Sequence, residues 1–155
     1  MFAPDHATHT ESTAHRNSKV QYLLVADETS LAPLEAALAL LPLCARGRVF
    51  IEVPTGAEVS RVSVPPRMTV TWLSRSGRAG APGTCTECAP GVAVLRAVRA
   101  WAAEMFCNGP DETVFWLAGR FDAVSDLYED FTGIGFGPDA ITTPEAFRLG
   151  TRPVS

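Results

Sequence analysis

Asp27, Glu28, Thr29 and Ser30 stand in a row directly after an apolar run that begins at Tyr22. Two carboxylates followed by two hydroxyls, at the point where a strand gives way to a helix, can do one of two things. The hydroxyls and the unpaired amides of the helix start suit a phosphate, provided the carboxylates point away from it. The same residues can also simply cap the helix. Glu52 closes a second apolar run. In a Rossmann-like sheet a carboxylate there accepts hydrogen bonds from a ribose hydroxyl and favours an unphosphorylated ribose; otherwise it is an exposed strand-end carboxylate. Arg61 and Arg75 are near enough in sequence to bear on that choice.

Other reactive side chains form no familiar constellation. Cys85-Thr86-Glu87-Cys88 is a lone C-x-x-C in a Gly/Pro-rich stretch. A zinc ribbon needs a second such pair, and a thioredoxin-type motif needs a helix start after a strand. The pair is expected to be two loop thiols that join only on oxidation, and no metal is expected. The histidines His6, His9 and His15 all fall in the polar segment Met1–Lys19, read as a disordered tail preceding a domain over residues 20–155. With no histidine in the folded part, a Ser/His/Asp triad is excluded. No residue emerges as catalytic. Neither a G-x-G-x-x-G turn nor a Walker lysine motif is present. Trp72, Trp101 and Trp116 fall in apolar strands or on a helix face and are expected in the core.

These residues must be positioned by elements that length and composition constrain. The chain has 155 residues, 46% of them hydrophobic and 19% charged, with a formal net charge of -4. That is one domain with a sizeable core. No basic cluster stands out, so nucleic acid is excluded as a partner. No apolar run is long enough to span a bilayer, and no secretory signal opens the sequence; the reading is a soluble, cytoplasmic protein of undetermined oligomeric state.

Tyr22–Ala26 reads as a buried parallel strand, and Leu31, Leu34, Leu38 and Leu41 recur at helical spacing behind it. Thr29 or Ser30 is the expected N-cap. Residues 48–53, 68–73 and 113–118 read as further strands, with a long loop from Ser74 to Pro90. A helix follows whose face is expected to carry Leu95, Val98, Ala102 and Met105, and another spans 122–131. Ile141 opens a short fifth strand. Alternating strands and helices predict a Rossmann-like α/β three-layer sandwich with a mainly parallel sheet of about five strands.

The order of these motifs resembles one family. Residues 22–31, Ile51-Glu52-Val53, the segment 70–77 and Trp116-Leu117-Ala118-Gly119 are similar to the siderophore-interacting proteins, which are ferric-siderophore reductases. The match is to their C-terminal, NAD(P)H-binding domain of the ferredoxin-reductase superfamily, from about Gln21 to Gly150. The resemblance implies that the Asp27-Glu28-Thr29-Ser30 turn faces the nicotinamide nucleotide and that Ala118-Gly119 lies beside the nicotinamide. Arg120 stands where the family has a glutamate. The family's Gly-Tyr-Trp-Arg segment is replaced by Glu145-Ala146-Phe147-Arg148-Leu149-Gly150. The resemblance implies NAD(P)H as cofactor and FAD only through a flavin-bearing partner, because a flavin barrel is not expected in so short a chain. A non-catalytic descendant binding protein or small ligands is the alternative.

Overall fold

The computed structural model describes residues 20–150. The histidine-bearing segment Met1–Lys19 lies outside the described residues. Five strands form one parallel sheet: β1 (Gln21–Asp27), β2 (Arg46–Val53), β3 (Arg67–Ser74), β4 (Thr113–Leu117) and β5 (Ile141–Thr142), in the order β3-β2-β1-β4-β5. β1 pairs with β2 on one side (Leu24 opposite Val49, Ala26 opposite Ile51) and with β4 on the other (Leu23 opposite Phe115). The chain winds outward from β1 in both directions, so the strand order reverses between β1 and β4. In open α/β sheets that reversal makes a crevice at the carboxyl ends of the strands.

The period-2 alternation of a strand sends neighbouring side chains to opposite faces. Leu23 and Val25 of β1, Phe50 of β2, Leu73 of β3 and Phe115 and Leu117 of β4 face two helices, α2 (Val92–Met105) and α3 (Phe121–Ile134). Phe115 stacks on Phe131 of α3, with ring centroids 4.0 Å apart. Leu24, Ala26, Val49, Ile51, Val53 and Met68 face the other way. They are covered by α1 (Leu31–Ala39), through Leu34 and Leu38, and by Val62 and Val64 of the extended segment between β2 and β3. This is the expected three-layer sandwich, and each strand lies within two residues of its reading in the sequence.

The helices depart more. On α2 the buried positions are Ala93, Val94, Val98 and Ala102, while Leu95 is half-buried and Met105 is 42% exposed. A stripe through 94, 98 and 102 keeps one face toward the sheet, and Phe106 at the C-cap takes the place expected of Met105. α3 runs three residues past its expected end because Gly135, in the left-handed conformation, supplies the C-cap. The three tryptophans are half-buried, at the margins of the core rather than in it. Among the described residues no helix is long and apolar enough to cross a membrane.

Candidate functional site

The β1–α1 turn is built around Asp27. Its carboxylate oxygen Oδ1 accepts from the Thr29 amide (2.9 Å) and from the Thr29 hydroxyl (2.6 Å), an Asx-type turn. The Ser30 hydroxyl accepts from the Asp27 amide at 3.0 Å and lies 3.3 Å from Asp27 Oδ1. Ser30 is the N-cap residue, as expected from the sequence, but its side chain makes no cap bond to α1. Pro33 contributes to this, along with the engagement of the hydroxyl by Asp27. The proline occupies the third helical position, whose amide a serine cap would ordinarily bind, and it has no N–H to give. The hydroxyls therefore turn inward onto a buried Asp27, and the amides at the start of α1 remain without helical partners.

Glu52 is not an exposed strand-end carboxylate: it is fully buried. Oε1 accepts from the Gly91 amide (2.7 Å) and Oε2 from the Val94 amide (2.8 Å), both at the start of α2. Arg75 Nη1 adds a third donor at 2.9 Å. Glu52 thus caps α2 from across the sheet and holds its charge against the positive end of that helix. As arranged here it has no surface to offer a ribose, which corrects the ribose-acceptor expectation. The signal for this role was in the helix. Ala89-Pro90-Gly91-Val92 contains no side chain able to cap it, so a cap had to come from elsewhere.

Arg75, at the end of β3, joins Glu52 to Glu28. Its Nη2 donates to Glu28 Oε1 at 2.7 Å and its Nη1 to Glu28 Oε2 at 3.2 Å. The guanidinium is nearly buried, and the Glu28 side chain is 31% exposed. The Arg75 bond holds the Glu28 carboxyl below the usual carboxylate range, against a smaller opposing effect of burial. The two carboxylates in turn raise the already high pKa of Arg75, Glu28 contributing most.

At the other half of the edge, Ala118 is buried and Gly119 turns the chain with φ +116°. A Cβ on Gly119 would sit 2.8 Å from Asp27 Oδ2, so the β4 turn and the β1 turn touch through a position that tolerates no side chain. Arg120 pairs with Asp122 at the start of α3 (3.2 Å), half exposed, and its charge reaches Glu28 of the β1 turn. Asp27, Glu28, Thr29, Ser30, Glu52, Arg75, Ala118, Gly119 and Arg120 are thereby gathered along the carboxyl edge. Arg61 is not among them: it lines a cavity beside Glu35 and Ala39, under α1.

The C-x-x-C loop is ordered. Gly80 and Cys88 donate backbone bonds to Thr86 and Arg78, and Arg96 of α2 ties down the carbonyls of Ala79 and Gly80. Cys88 is buried while Cys85 is exposed, and both are free thiols. No group of metal-ligating side chains forms among the described residues. A cavity of about 710 Å3 opens at the opposite, amino edge, lined by Gln21, Arg46, Trp101 and Glu112 among others, and takes in none of the residues above.

A doubly wound parallel sheet with two turns meeting at its reversal point defines a Rossmann-like α/β domain. The chain belongs to the siderophore-interacting protein family, whose model matches residues 19–143. Among solved structures it is similar to a siderophore utilization protein from T. fusca (28% identity, TM-score 0.59), covering 79% of this chain and 42% of that one. The siderophore-interacting protein SipS from Aeromonas hydrophila, at 19% identity and TM-score 0.54 over 79% of this chain and 49% of its own, shares the fold. An uncharacterized protein of Mycobacterium tuberculosis is 40% identical over 58 residues, which is 37% of this chain and 20% of the relative. The chain spans less than half the length of each of these relatives.

Proposed function

We propose that this chain is the nicotinamide-nucleotide-binding half of a ferric-siderophore reductase, acting in the cytoplasm with a flavin held on another domain or on a separate partner. The observation that carries this reading is the state of the β1–α1 turn. Asp27 is buried with its Oδ1 bonded to the turn, Glu28 is drawn toward Arg75, and the α1 amides are left facing the carboxyl edge. These residues fit a dinucleotide: a pyrophosphate meets amide dipoles there instead of carboxylates. Gly119, bare of a side chain, lets a flat ring approach the sheet end over β4.

When bound, the reduced nicotinamide would supply a hydride to a flavin outside this chain, whose two electrons would reduce two ferric ions while the proton is released to solvent. The chain's own share is binding and orientation. The start of α1 holds the pyrophosphate, the Ala118-Gly119 turn seats the nicotinamide end, and the Glu28–Arg75 pair walls the adenosine end. No side chain among these is positioned to move a proton, in keeping with a reaction whose chemistry resides in the two cofactors.

A second reading is a binding module without reductase activity. Arg120 favours it, since a cation paired to Asp122 replaces the acidic residue expected beside the nicotinamide. Calorimetric titration of the full chain with NADH and NADPH separates the two. Binding of either nucleotide supports the first reading; no heat and no thermal shift at millimolar nucleotide leaves only the second.

A further inference from the structure

We infer that the Glu28–Arg75–Glu52 network makes the site selective for a nicotinamide dinucleotide with a free ribose 2′-hydroxyl, NADH, over one bearing a 2′-phosphate; this rests on the nucleotide-binding reading above. In doubly wound sheets the adenosine ribose lies at the end of the second strand, where an arginine accommodates a 2′-phosphate. An arginine is present at that corner, but it is already committed. Arg75 is 11% exposed, and both of its terminal nitrogens are bound to carboxylates.

The guanidinium is nearly buried behind those pairs, so a phosphate that bonds it directly must displace one of them. Glu52 is the harder partner to give up, because it is fully buried and losing Arg75 would leave its charge on two helix amides alone. Glu28 is the one to yield. Once displaced it remains as a bare carboxylate beside the incoming phosphate dianion. Glu58, in the turn after β2, lies close enough for its charge to be felt by Glu28 and adds a second negative group. A ribose hydroxyl asks for none of this: the partly exposed Glu28 oxygens can accept from it while Arg75 stays in place. Arg61 is too distant to compensate, since it packs near Ala39, at the end of α1 that points to the amino edge. Besides Arg120, which is paired to Asp122 and whose charge also reaches Glu28, the remaining cation is Arg78. Its Nε is bound to the Ser74 carbonyl at 2.6 Å while the rest of the side chain is exposed.

The test is calorimetric titration of the full chain, wild type and Glu28→Gln, with NADH and with NADPH at fixed ionic strength. The expected result is that the wild type binds NADH about tenfold more tightly, the scale of a like-charge contact between a partly exposed carboxylate and a phosphate dianion. Glu28→Gln should narrow that ratio to about threefold or less by strengthening NADPH. General damage to the fold would weaken both nucleotides alike and leave the ratio standing. A wild type that binds NADPH as tightly as NADH overturns the selectivity while the nucleotide reading stands, and loss of that affinity in Arg78→Ala would identify Arg78 as the phosphate reader. A wild-type preference for NADH that Glu28→Gln does not alter overturns the assignment to this network. If neither nucleotide binds, the nucleotide reading falls and the selectivity falls with it.

Discussion

Over β2 and β3 the carboxyl edge is held by charge. One buried glutamate collects two helix amides and an arginine, and the arginine reaches on to the β1 turn. Over β4 the same edge is held by backbone. A left-handed glycine lets the chain pass against Asp27, and the charged pair Arg120–Asp122 beside it is half exposed. The contrast shows where each half can change. The buried end of a charge network tolerates no deletion, because removing Glu52 or Arg75 leaves buried partners unsatisfied. A backbone turn tolerates any neighbour that leaves the glycine alone.

The comparison is broken most directly at Glu52. Glu52→Ala strands Arg75 and two α2 amides, and a loss of about 3–5 kcal/mol in urea-denaturation stability is expected. A loss under about 1 kcal/mol would mean that water replaces the carboxylate and that the network is not what holds α2. Gly119→Ala tests the other half. The positive φ and the approach to Asp27 predict a loss of about 1–3 kcal/mol, read by the same denaturation curves. Glu28→Gln comes next, at about 0.5–1 kcal/mol near neutral pH, since Glu28 is partly exposed and its pair is screened.

Its pH dependence sharpens the point. The folded-state pKa of Glu28 lies below the ordinary value of 4.5. Its contribution is therefore fully present above that value and lost as pH falls through the lowered one. The gap between wild type and Glu28→Gln should close on acidification, and a gap that widens instead would contradict the Arg75 pairing. Arg120→Ala should be smallest, within about 0.5 kcal/mol, because a half-exposed pair is worth little. A larger loss would show that the β4 half depends on charge after all.

The fold was legible in the sequence because it depends on repeating apolar patterns. Leu23 to Val25 and Val49 to Ile51 could only be buried strands, and the leucines after Ser30 could only be a helix against them. The site was half legible. The residues of the β1–α1 turn and the Ala118-Gly119 turn could be picked out, but which way their side chains turn could not. Thr29 and Ser30 look like outward donors until Pro33 removes the amide a serine cap would bind and Asp27 claims the hydroxyls. Arg75 could be picked out as a nucleotide-site candidate, since it lies in the family-like segment 70–77 and Arg61 does not, but its two carboxylate partners could not be read.

By itself, then, the sequence determined a parallel α/β sandwich, the family, and the two turns that meet at the carboxyl edge. These follow from hydrophobic period and from turn chemistry, which act between residues close along the chain. Only the tertiary structure decided that Glu52 serves a helix and that Arg75 is spent on two carboxylates. Those bonds join residues 23 to 47 positions apart, and such distant partners are chosen by the packing of strands and helices rather than by any local pattern.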